Sequence, residues 1–70
     1  LRGTVLSPHS SGSALVFDLE NEGRITCYFR HPPSSLILFA GDWVVVLGRL
    51  EWTPQGRLCV VEEVTRHGLA

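Results

Sequence analysis

Seventy residues leave room for one core and no second domain, because a chain this short buries only about 60 % of the surface its unfolded form exposes. With 44 % hydrophobic and 19 % charged residues the composition excludes a disordered tail, and no apolar run approaches the roughly 20 residues that a membrane-spanning helix needs. All six basic side chains are Arg and they nearly cancel seven acids; the net charge of −1 excludes a nucleic-acid binder that works by bulk electrostatics, so any such role needs local clustering.

The chain opens on Leu1 rather than Met and enters strand-like sequence at once, which reads as a domain cut from a longer protein. The spacing predicts a first strand over Leu1–Leu6, with Leu1, Gly3 and Val5 on one face. Ser7 to Ser13 then reads as a loop, since Pro8 and Gly12 disrupt pairing and the serines compete for backbone hydrogen bonds. A second strand over Ala14–Glu20 puts Leu15, Phe17 and Leu19 on one face. Asn21, Glu22 and Gly23 make a tight hairpin connection to a third strand, Arg24–Arg30, whose odd residues Ile25, Cys27 and Phe29 point inward. Its outward face is then Arg24, Thr26, Tyr28 and Arg30.

Pairing must stop at His31-Pro32-Pro33, where two prolines remove donors and constrain the residues before them. Ser34 is placed to cap a single helical turn through Leu36, Ile37, Leu38 and Phe39 that would plug one end of a closed sheet. A long β-branched run, Trp43–Leu50, forms the fourth strand, with Gly48 read as a bulge or bend that helps the sheet close. Glu51 to Gly56 reads as a hairpin loop and Arg57–Val64 as the last strand. The expected fold is all-β, over residues 1–66, with 67–70 a tail or linker. Five short strands leave costly free edges unless the sheet curls and closes, so a barrel is expected.

Four segments carry a family resemblance: Gly12 to Leu19, Ile25 to Arg30, Gly41 to Leu50 with its Gly-x-x-Val-x-Val-x-Gly-x-Leu pattern, and Gly56 to Val64. Together they resemble the nucleic-acid-binding OB domains of the tRNA-anticodon type, as in the N-terminal domain of the exonuclease VII large subunit. The resemblance implies a five-stranded Greek-key OB-fold barrel that binds single-stranded nucleic acid on its second and third strands and flanking loops, within a larger DNA- or RNA-processing protein. A second resemblance is to the periplasmic haem chaperones of cytochrome c maturation, where His67 would stand near the haem-attaching His, here without the acidic residue and Tyr that follow it in that family.

Single strands are held by aromatic plates and by cations that track phosphates. Tyr28 between Arg24 and Arg30 offers both, with Thr26 beside them; Trp52 and Arg57 around the last hairpin offer a clamp at the groove's edge. These six are the candidate nucleic-acid-binding residues. The plainer alternative pairs Arg24 and Arg30 with Asp18 or Glu20 across the hairpin, lets Tyr28 cover apolar surface and packs Trp52 over the hairpin mouth. His9 and His31 fall in loops beside the groove, where an imidazole could stack or meet phosphate, although exposed solvated side chains are the rule in loops.

If Trp43, Val45 and Leu47 face outward, they form an exposed apolar stripe that suits a protein partner or a second copy of the chain. That is the rival function: a protein-interaction or oligomerisation module. Catalysis needs a nucleophile beside a base or carboxylates that converge, and neither is visible; Glu62 and Glu63 point to opposite faces unless a bulge intervenes. Cys27 and Cys59 lack the paired spacing of a zinc site, and no metal or other cofactor is expected. The strand phases point Cys27 inward and Cys59 outward, which speaks against a disulfide; free thiols suit a reducing, cytoplasmic compartment.

Overall fold

The computed structural model describes residues 1–66, so the tail 67–70 and the His67 haem reading lie outside the described residues. Five strands, β1 (Arg2–Ser11), β2 (Ala14–Glu20), β3 (Arg24–Phe29), β4 (Trp43–Thr53) and β5 (Gly56–Arg66), form one closed, mixed sheet in the order β1-β2-β3-β5-β4. All neighbours run antiparallel except β3 and β5, which are parallel. Closure comes from Arg2, Gly3 and Thr4 of β1 lying opposite Val45, Val44 and Trp43. It is prolonged by the Val5 N–H donating to the Asp42 carbonyl and the Gly41 N–H donating to the Val5 carbonyl, both at 2.8 Å. No helix among the described residues is long and apolar enough to cross a membrane.

The interior follows from period-two alternation. Val5, Phe17, Leu19, Cys27, Phe29, Val44, Val46, Cys59 and Val61 alternate with more exposed neighbours along their strands and meet in one cluster, with Leu38 added from the β3–β4 connection.

The first expected loop is largely strand. β1 continues to Ser11, and the serines and Pro8 are absorbed by a bulge: Leu6 faces Asp18 and His9 faces Val16, three steps on β1 against two on β2, with Ser7 at φ 50°. His9 is thus a strand residue rather than a loop residue. The β1–β2 connection shrinks to Gly12-Ser13, where Gly12 supplies φ 63° without a Cβ penalty.

The fourth and fifth strands also outrun expectation. They pair from Val44–Arg66 to Thr53–Gly56, leaving Pro54-Gln55 as the turn. Thr53 Oγ1 fastens that turn by donating to the Gly56 carbonyl at 2.8 Å and accepting the Gln55 N–H at 3.2 Å. Glu51, Trp52 and Thr53, expected in a loop, are therefore ladder residues.

Leu36 to Phe39 form no helical turn. The Leu36 N–H closes a turn on the Pro33 carbonyl at 3.0 Å, the Asp42 carboxylate accepts the Phe39 N–H at 2.9 Å, and only Leu38 enters the core. Ile37 and Phe39 stay more than half exposed.

Cys59 faces inward, against the outward phase expected for it, and lies directly opposite Cys27 across the parallel β3–β5 pair. The run Leu58-Cys59-Val60-Val61 is apolar on both faces, so its alternation carries no phase, and pairing with β3 decides it. Both cysteines are free. Burial, then the neighbouring Cys59, pushes the Cys27 thiol up to about 12 from an ordinary 9.0, and burial also raises Cys59.

Both thiols are therefore expected to resist iodoacetamide at pH 8 in the folded protein and to react once denatured. Because the folded-state value of Cys27 is raised, its contribution to stability is intact below pH 9 and is lost as pH climbs toward about 12. Melting against pH, with Cys27→Ala flattening the alkaline decline, checks the sign; prompt alkylation of the native protein contradicts it.

Candidate functional site

The candidate residues of β3 do share one face. Tyr28 stands outward in a row that runs across the sheet as His9, Val16, Tyr28, Val60 and Arg49, each opposite the next. The adjacent row is Leu6, Asp18, Thr26, Leu58 and Glu51, and beyond it Thr4, Glu20 and Arg24. Tyr28 is half-buried between two valines, Val16 and Val60.

Several polar groups on this face are engaged with one another. Thr26 Oγ1 donates to Asp18 Oδ1 at 3.0 Å, and Arg24 sits 3.5 Å from Glu20, the residue directly opposite it. Arg49 Nε donates to Glu51 at 2.8 Å. The plainer cross-strand pairing thus holds for Arg24. Exposed pairs of this kind contribute at most about 1 kcal/mol each, so a phosphate can displace them at little cost. Arg30 lies just past the end of β3, exposed and without a carboxylate partner among the described residues.

Trp52 and Arg57 are placed elsewhere. They lie opposite each other and continue the inward row of Leu50 and Cys59 out along the β4–β5 arm, beyond the closed part of the sheet. The expectation that Trp52 packs over the hairpin mouth fails: it is 82 % exposed, the most exposed large hydrophobic side chain among the described residues. Arg57 also has no carboxylate partner among the described residues. The six candidates therefore form two groups. Tyr28 and Thr26 occupy the outer face of β3 with Arg30 just past its end, Trp52 and Arg57 lie on the arm, and Arg24 joins the two groups, because it belongs to the outer row and also lines a cavity with Arg57.

That cavity, of about 220 Å³, opens at the end of the closed sheet between the start of β1, the β2–β3 turn and the β4–β5 arm. Arg2, Arg24 and Arg57 line it with Leu19, Ile25 and Leu50, and Glu22 is the one carboxylate on its wall among the described residues. Arg2 and Leu50 were missed by the sequence reading. Nothing in their local pattern sets them apart; only closure of the sheet brings them together.

Trp43, Val45 and Leu47 face outward, with Trp43 and Leu47 exposed and Val45 half-buried. Opposite them lie Thr4, Arg2 with Thr65, and Glu63, so an apolar stripe runs between polar borders along β4.

Glu62 and Glu63 are both exposed. A bulge does intervene: Leu47 faces Glu63 while Gly48 faces Val61, leaving Glu62 as the extra residue of β5. Neither glutamate lines the cavity.

Comparison with protein-family models, with characterised proteins and with solved structures finds no match to this chain.

Proposed function

We propose that this chain is a five-stranded Greek-key barrel of the OB type that binds single-stranded nucleic acid without catalysing a reaction, as a module of a larger nucleic-acid-processing protein of the kind exemplified by the exonuclease VII large subunit. The strand order supports the fold reading: β4-β1-β2-β3 is the Greek-key order, reached through the long connection 30–42. OB barrels take oligonucleotides on the outer face of their second and third strands, where Tyr28 stands here, and on the loop between the fourth and fifth, which here closes the arm whose strand β4 carries Trp52.

The observation that carries the binding reading is the 82 % exposure of Trp52 opposite Arg57, which has no carboxylate partner among the described residues. An indole left in water on a protruding arm adds nothing to the core, whereas an aromatic plate beside a guanidinium is what stacking on a base and meeting its phosphate require. Tyr28 supplies a second plate and Arg30 a second phosphate contact. Stacking accepts any base, so weak sequence preference follows.

Binding of labelled oligo(dT) and oligo(U) tests this at low salt and across a salt series. Each of Tyr28→Ala and Trp52→Ala is expected to weaken binding by about 1–3 kcal/mol, roughly 5- to 150-fold. Arg57→Ala and Arg30→Ala should each flatten the slope of log affinity against log salt by about 0.7.

One observation favours a second reading. The exposed Trp43 and Leu47 give the molecule an apolar stripe with polar borders, as protein interfaces have. No oligonucleotide binding at low salt, together with self-association that Trp43→Ala abolishes, overturns the nucleic-acid reading in favour of this one.

A further inference from the structure

We infer that the cavity at the end of the closed sheet is a pocket for a single nucleotide, with the ring against Leu19, Ile25 and Leu50 and the phosphate held by Arg57 and Arg2. The inference rests on the single-strand reading and gives that surface a terminus: a place where one nucleotide ends its path along the protein.

Size decides how much can enter. At about 220 Å³ the cavity falls below the roughly 300–1,000 Å³ of sites for drug-sized ligands, so it accepts one ring system and not a run of bases. Its chemistry is divided to match. Leu19 is buried, Ile25 packs on the core, and Leu50 stays half exposed, which leaves apolar surface in water that a planar ring would cover.

The cationic rim is held open. Arg24 is occupied by Glu20 at 3.5 Å, but Arg2 and Arg57 have no carboxylate partner among the described residues. The Asn21 side-chain amide donates to the Arg2 carbonyl at 3.2 Å, tying the start of β1 to the β2–β3 turn, so Arg2 reaches the cavity from a fastened backbone. Two guanidinium groups against the single carboxylate of Glu22 leave the wall net positive. Their planar forks suit the paired oxygens of a phosphate, and the ring floor separates this ligand from a bare anion. Trp52 lies opposite Arg57 and on the same side of the arm as Leu50, two residues of the cavity wall, so its exposed indole is placed to report on the ligand.

Either a free nucleotide or the terminal nucleotide of a strand carries this chemistry. Tryptophan fluorescence titrations with adenosine monophosphate, adenosine and inorganic phosphate test the pocket directly. The monophosphate should bind, with adenosine and phosphate alone each at least about tenfold weaker, since each lacks half of the recognised chemistry. Arg57→Ala and Arg2→Ala should each weaken the monophosphate at least about tenfold, while Tyr28→Ala leaves it unchanged. Competition by 5′-phosphorylated but not 5′-hydroxyl oligonucleotides assigns the pocket to strand ends; no competition by either assigns it to free nucleotides. Millimolar monophosphate that leaves the fluorescence unmoved, or binds equally well to Arg57→Ala, overturns the inference. Oligonucleotide binding that needs Tyr28, in a protein to which the monophosphate does not bind, sinks the pocket and leaves the single-strand reading standing. Monophosphate binding by a protein that binds no oligonucleotide does the reverse.

Discussion

Gly48→Ala is expected to destabilise the protein by about 3 kcal/mol or more, with little change in the rest of the surface. Gly48 faces Val61 at the bulge where β5 inserts Glu62, and there the two backbones come unusually close. A Cβ at Gly48 would collide with the carbonyl oxygen of Val60 and lie 3.1 Å from both the carbonyl carbon of Val60 and Cα of Val61. These are backbone atoms of β5, and Val60 is at the same time opposite Tyr28 of β3, so relief requires moving a strand that is paired on both sides. At about 0.05–0.15 kcal/mol per residue the whole domain holds only some 4–10 kcal/mol, so the loss takes up a large part of it. A fall in Tm of about 12–24 °C should result. Gly12→Ala is the natural comparison: its φ of 63° brings strain, but nothing lies within 4 Å of its Cβ position, so its cost should stay near 1 kcal/mol. Equal melting of the two variants would contradict the close approach at Gly48.

Phe17→Ala should cost about 3–5 kcal/mol and bring the domain to the edge of unfolding. Phe17 is the largest fully buried side chain, opposite Cys27 on β3 and within the cluster formed by Val5, Val44, Val46 and Cys59. A closed sheet has no mobile layer that can move in to fill the space, so the void persists, and its lining loses dispersion contacts as well as burial. Phe17→Leu should cost only about 1–1.5 kcal/mol, because it keeps most of the volume. Urea midpoints for the two variants check the ranking; a near-native midpoint for Phe17→Ala would show that Phe17 is not the centre of the core.

The same two residues mark how far sequence reading extends. Phe17 sits between Leu15 and Leu19 in an unbroken alternation bounded by Gly-Ser and Asn-Glu-Gly, so strand, limits and inward face follow locally, and β2 spans Ala14–Glu20 as expected. Gly48 interrupts a β-branched run, which signals a bulge, but the sequence does not say that the partner strand supplies the extra residue. The alternation of β3 placed Arg24, Thr26 and Tyr28 outward, and the structure puts them there. For Trp52 the sequence misled: Glu51 to Gly56 contains Pro54 and Gly56, both turn formers, yet the ladder with β5 extends up to Thr53 and leaves only Pro54-Gln55 as the turn.

By itself the sequence determined that the chain is all-β with five strands, which residues of β2 and β3 face inward, and that Trp43, Val45 and Leu47 share a phase. Each of these follows from the two-residue period of a strand, which is written into neighbouring positions. Tertiary structure alone decided that Cys59 meets Cys27, that the serines of β1 stay in the ladder, that Trp52 leaves the face of Tyr28, and that Arg2, Arg24 and Arg57 gather at one cavity. All four depend on which strands become neighbours when the sheet closes, and that is settled by long-range burial and register, which local alternation does not encode.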